Sequence, residues 1–106
     1  MQCVILAAGK GTRLRPLTEN LPKPLVVVGG KTLLDHIVEA IPSSVDELII
    51  VTGYLGHMIE EYCGTEFHGR KVTYVTQEEQ NGTAKALWLC RDLIKGRFLF
   101  FRSEER

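Results

Sequence analysis

The stretch Leu6-Ala-Ala-Gly-Lys-Gly-Thr-Arg-Leu-Arg-Pro-Leu-Thr-Glu-Asn-Leu-Pro-Lys-Pro-Leu25 decides the fold of this chain. It leads from an apolar, β-branched run, Gln2–Ala7, into a basic loop that contains Gly9 and Gly11 and closes on Pro22-Lys23-Pro24. A short apolar run without alternation is the mark of a strand covered on both faces, as in parallel α/β sheets. The loop sets four cations, Lys10, Arg13, Arg15 and Lys23, against one acid, Glu19, a local excess of three. The 106-residue chain as a whole has a formal net charge of zero, so its positive charge is concentrated here. A ligand with several anionic oxygens suits such a loop, because glycines bare backbone amides for close approach.

Downstream, the pattern alternates. Thr32-Leu33-Leu34-Asp35 has the spacing of a capping box, and Leu33, Leu34, Ile37, Val38 and Ile41 follow on one helical stripe until Pro42. Leu48–Val51 is a second apolar strand, ending at Thr52-Gly53. Leu55, Met58, Ile59 and Tyr62 make a shorter stripe with Glu60 and Glu61 toward water. Val72–Val75 is a third strand, Gly82-Thr83 opens a third helix reaching about Lys95, and Phe98–Phe101 is a fourth strand. Strand and helix in alternation predict an α/β, doubly wound, mostly parallel sheet with helices on both faces. Ligands of such sheets sit beyond the carboxyl ends of the strands, near the point where strand order reverses. The basic loop, Thr52–Leu55 and Gln77–Gly82 all leave strands at that end, so three loops are expected to meet at one crevice.

Composition narrows the function. A chain of this length is one domain at most. Zero net charge argues against a nucleic-acid binder held by phosphate contacts. No apolar stretch approaches the roughly 18 residues that span a bilayer, and Lys10 and Arg13 interrupt the N-terminus too early for a signal peptide. Cys3, Cys63 and Cys90 are odd in number and set in apolar patterns, so they are expected to be reduced core residues of a cytoplasmic protein. His36 is expected to be solvated, His57 and His68 to lie in loops without ligand-spaced neighbours, and Tyr54 to be a rim or packing residue.

Two familiar glycine motifs do not fit. A dinucleotide fingerprint needs a third glycine and an acid after the second strand, where Thr52 stands. A P-loop needs Gly-Lys-Ser/Thr opening a helix, whereas Gly11-Thr12-Arg13 runs toward prolines. The pattern Leu-x-x-Gly-x-Gly-Thr-Arg-Leu-x-Pro-Leu-Thr followed by Pro-Lys-Pro-Leu instead resembles the signature of the sugar-1-phosphate nucleotidyltransferases, or nucleotide-sugar pyrophosphorylases. Val51-Thr52-Gly53-Tyr54, Tyr74-Val75-x-Gln77 and Gly82-Thr83-Ala84-x-Ala86-Leu87 resemble later motifs of that family, so the likeness runs to about residue 101.

The resemblance implies a Rossmann-like nucleotidyltransferase half-domain, the N-terminal nucleotide-binding part, truncated before the sugar-binding half. It implies transfer of a nucleoside monophosphate from an NTP to a sugar 1-phosphate, with release of pyrophosphate and with Mg2+ as cofactor. Arg13 and Lys23 are the implied catalytic residues, flanking the phosphates. Leu6, Ala7, Ala8, Gly9, Gly11, Thr12, Gln77, Gly82 and Thr83 are the implied nucleotide-binding residues, with Thr83 also a candidate helix cap. The likeness fails after the fourth strand, where the family places a metal-binding aspartate and this chain has Arg102-Ser103-Glu104-Glu105. Glu104 falls near that register. No metal ligand is assigned, and a non-catalytic nucleotide-binding module or inactive fragment is the alternative. Sugar-1-phosphate and NTP are the expected partners, without nucleic acid or membrane. Phe98–Phe101, if uncovered, offers an apolar edge for pairing with another copy.

Overall fold

The computed structural model describes residues 1–8, 20–78 and 82–102. Strand β1 (Gln2–Ala7) is buried along its whole length, as its unbroken apolar run requires. After a 3-10 turn at Lys23–Leu25, a small antiparallel hairpin follows, β2 (Val27–Val28) and β3 (Lys31–Thr32). Helix α1 (Leu33–Glu39), strand β4 (Glu47–Thr52), helix α2 (Gly56–Cys63), strands β5 (Glu66–Phe67) and β6 (Arg70–Thr76), helix α3 (Thr83–Leu89) and strand β7 (Phe98–Arg102) complete the order.

The main sheet has the order β5-β6-β4-β1-β7. β4 and β7 flank β1 in parallel, β6 runs parallel to β4, and β5 pairs antiparallel with β6. The chain moves from β1 outward to β4 and β6, then returns across to β7 on the other side of β1. That return is the reversal of strand order expected of a doubly wound sheet.

Alternation of side chains through the sheet makes two cores. Cys3, Ile5, Ala7, Leu48, Ile50 and Val72 point to the face covered by Leu34, Val38 and Ile41 of the α1 segment and by Ile59 and Cys63 of α2. Val4, Leu6, Ala8, Ile49 and Val51 point to the opposite face, against Ala86 and Cys90. Helices therefore cover both faces, and the first four expected strands are all present. The three cysteines are buried and free. Burial pushes the Cys3 thiol up to about 11 and the Cys63 thiol up to about 12, and raises Cys90 as well.

Several local expectations change. The third helix ends at Leu89 rather than near Lys95, with Cys90 as its C-cap, and the segment beyond is held by the buried Gln2 side chain. Its amide donates to the Leu93 carbonyl at 2.6 Å and accepts from the Lys95 N–H at 2.8 Å. Gly82, with φ +95°, is the N-cap of α3 and Thr83 is its first residue, so Thr83 is not the cap. His57 lies in α2 rather than a loop, and Tyr62, expected on its buried stripe, is about half exposed. Two hairpins carry no prior assignment. Their turns, Gly29-Gly30 and His68-Gly69, have positive φ at both residues, which matches the twist of a tight two-residue connection.

Candidate functional site

Among the described residues, the carboxyl ends of β1, β4 and β6 lie side by side, with Ala7 opposite Thr52 and Thr52 opposite Thr76. Leu6, Ala7 and Ala8 are buried as the chain leaves β1 toward the basic loop. Gln77 is buried as the chain leaves β6. Its N–H donates to the Thr52 carbonyl at 2.7 Å, which extends the β4–β6 ladder one step past the strand. Its side-chain amide donates to the Gly82 carbonyl at 3.3 Å, tying the two ends of the β6–α3 loop.

Gly53 stands where these loops meet. A Cβ placed on it would lie 2.9 Å from the Gln77 carbonyl oxygen, 3.1 Å from the Ala8 Cβ and 3.1 Å from the Ala8 carbonyl oxygen. Ordinary contact begins at 3.4 Å, so the approach requires a residue without a side chain. The first residues beyond β1, β4 and β6, namely Ala8, Gly53 and Gln77, thus meet as the topology predicts. Gly53 directly follows an apolar strand, which marks a turn in the sequence, but the close approach that gives it a role is visible only in the structure. The same turn is closed by the Gly56 N–H donating to the Gly53 carbonyl at 3.0 Å, with Leu55 in left-handed conformation (φ +54°) between them.

Lys23 is carried on a separate element. Pro22 and Pro24 are buried on either side of it, and Leu25 belongs to the first core. The Leu25 N–H donates to the Pro22 carbonyl at 2.9 Å and the Val26 N–H to the Lys23 carbonyl at 3.0 Å, which fixes the backbone from which Lys23 projects. Gly9, Lys10, Gly11, Thr12, Arg13 and Arg15, together with Glu104, lie outside the described residues. Tyr54 is half-buried beside Gly53 in sequence.

A second polar cluster sits on the α1–α2 side. Thr32 caps α1, its Oγ1 accepting from the Asp35 N–H at 3.0 Å and donating to Asp35 Oδ2 at 2.7 Å. Tyr62 from α2 donates to the same oxygen, and His68 Nε2 lies 2.7 Å from Asp35 Oδ1. Burial pushes the Asp35 carboxyl up, but the hydrogen bonds from His68, Tyr62 and Thr32 outweigh it and hold it at about 2. His68 is therefore the partner of a carboxylate, and His36 places Nε2 2.7 Å from the Val28 carbonyl oxygen. Among the described residues there is no group of three or more His, Cys, Asp or Glu able to hold a metal ion, and no helix is long and apolar enough to cross a membrane.

Residues 2–103 match the model of a family described as nucleotidyl transferase. The chain is 41% identical over 105 residues to the bifunctional protein GlmU of Methanococcus vannielii, covering 98% of this chain and 24% of that protein. It is 44% identical over 100 residues to the UTP–glucose-1-phosphate uridylyltransferase AglF of Haloferax volcanii, covering 93% of this chain and 41% of that protein. A putative glucose-1-phosphate thymidylyltransferase from Bacillus anthracis, solved in complex with a sucrose, superimposes with a TM-score of 0.85 at 29% identity, over 97% of this chain and 44% of that one. The chain thus spans less than half the length of these relatives.

Proposed function

Because the chain belongs to the nucleotidyl transferase family, we propose that it is the N-terminal, nucleotide-binding part of an enzyme that transfers a nucleoside monophosphate from an NTP to a sugar 1-phosphate. In the reaction, an oxygen of the sugar phosphate forms a bond to the α-phosphorus of the NTP. The bond from that phosphorus to the bridging oxygen breaks, and pyrophosphate leaves with the electron pair. Little covalent work falls to the protein, so its task is to position the triphosphate and neutralise its charge. The observation that carries this proposal is the convergence of Ala8, Gly53 and Gln77 at the carboxyl end of the sheet, directly before the basic loop.

Each side chain has a part in this scheme. The amides from Ala8 through Thr12 hold the nucleotide, and Gln77, with Gly82 beside it, presents an amide edge to the base. Arg13 pairs its planar fork with the β- and γ-phosphate oxygens, and Lys23 meets the reacting phosphates from its proline-fixed turn. Thr83 opens α3 next to the Gln77–Gly82 loop. Mg2+ is the cofactor of this proposal, and it would supply further charge neutralisation on the triphosphate. Among the described residues no group of three or more His, Cys, Asp or Glu is placed to hold it. The expected surroundings are cytoplasmic, in keeping with three reduced, buried thiols.

Calorimetric titration with UTP, dTTP and GTP tests the proposal. R13A and K23A should each weaken the bound nucleotide by roughly 10- to 100-fold, the worth of a charge-assisted hydrogen bond. Unchanged affinity in both variants would remove these residues from the site. A second scheme is nucleotide binding without catalysis. It predicts nucleotide binding with no pyrophosphate released when glucose 1-phosphate is added.

A further inference from the structure

We infer that Gly53 is a positioning residue whose missing side chain sets the separation between the loop leaving β1 and the loop leaving β6, so that one nucleotide can engage both. This rests on the nucleotide site proposed above. Gly53 has no positive φ, so its backbone accepts alanine without conformational strain and the steric term stands alone. That term falls on backbone. The Gln77 carbonyl oxygen and the Ala8 carbonyl oxygen flank the Cβ position at 2.9 and 3.1 Å, and neither is the flexible end of a side chain. A methyl group there must push the two loops apart. Behind Gly53 the turn gives little, because Gly56 is packed against Thr52, where a Cβ would meet the threonine side chain at 2.8 Å. Thr52 is itself buried and its carbonyl holds the Gln77 N–H at 2.7 Å. The displacement therefore goes into the spacing between Ala8 and Gln77.

A ligand that spans both loops depends on that spacing, whereas one that needs only the basic loop does not. UTP presents base and triphosphate, and inorganic tripolyphosphate presents the phosphates alone. In calorimetric titrations, G53A is expected to bind UTP roughly tenfold or more weakly than the unaltered protein, since small displacements of paired binding groups are costly. Tripolyphosphate affinity is expected to stay within about twofold. The double variant A8G/G53A removes the Cβ at 3.1 Å and is expected to recover part of the UTP affinity. Equal UTP affinity in a cooperatively folded G53A overturns the inference while leaving the nucleotide site standing. An equal loss for both ligands also overturns it, because general loosening of the fold weakens both alike. If the unaltered protein binds none of UTP, dTTP and GTP, the site itself is wrong and the inference falls with it. Should G53A fail to fold, crystals of the unaltered protein soaked in UTP decide: nucleotide contacting both Ala8 and Gln77 supports the inference, and nucleotide on one loop alone overturns it.

Discussion

Asp35 shows how one carboxylate can join three elements. Its oxygens accept from Thr32 at the start of α1, from Tyr62 in α2 and from His68 in the β5–β6 turn. The carboxyl titrates near 3.8 in an unfolded chain and at about 2 in the fold, so its folded value is depressed. Its stabilising effect is therefore complete above the unfolded value and is lost as pH falls through the folded one. D35N should unfold at lower temperature than the parent at neutral pH, with a loss of roughly 1–3 kcal/mol for charged hydrogen bonds. The gap between the two melting curves should close between about pH 4 and pH 2. A gap that stays constant over that range would show that the pairing is not ionic. The thiols make a second test at this scale. Cys3, Cys63 and Cys90 are buried with raised pKa values, so thiolate is scarce at pH 8. Iodoacetamide should leave the native protein unmodified and alkylate all three cysteines in denaturant; rapid labelling of the native state would contradict the packing.

Elements were legible in proportion to how far burial alone dictates them. The strands at β1, β4, β6 and β7 announce themselves as apolar runs, and α1 as a stripe cut by Pro42, because a two-sided core leaves no room for polar residues. The end of α3 was not legible, since the apolar pattern of Leu93 and Ile94 runs on past it, and the segment beyond is held by Gln2, some ninety residues away in the chain. The two hairpins had a local signal in Gly29-Gly30 and His68-Gly69, but strands of two residues carry no periodicity to pair with it. At the site, Ala8 and Gln77 were readable from motif and topology, while the role of Gly53 emerges only from the approach of two backbones. These differences predict different energies. Gly69 has φ +77° with open space around it, so G69A should cost about 1 kcal/mol through backbone conformation alone. Ile50 is fully buried on β4, and I50A should cost about 2–5 kcal/mol through lost burial and the cavity left behind. Urea unfolding of both variants checks the ranking; a G69A midpoint equal to that of the parent would mean that the turn is not left-handed.

For the molecule as a whole, β7 is the unsettled boundary. Among the described residues it is the last strand on its side of the sheet, paired to β1 along one edge only. Phe98, Leu99, Phe100 and Phe101 are half-buried, with Phe98 and Phe100 against the α3 face and Leu99 and Phe101 against the other. An apolar edge strand presents unpaired peptide groups beside side chains that gain from further burial, and such edges recruit another strand. In a solution of this chain alone, a second copy is one source of such a strand. Sedimentation velocity should therefore show concentration-dependent association of the purified chain. F100K places a charge on β7, the means by which edge strands are kept apart, and should shift the chain to monomer while a cooperative thermal transition remains. Association unchanged in folded F100K would put the contact elsewhere, and a parent that stays monomeric at all concentrations would show that β7 is already protected by its own twist and by Arg102 at its end.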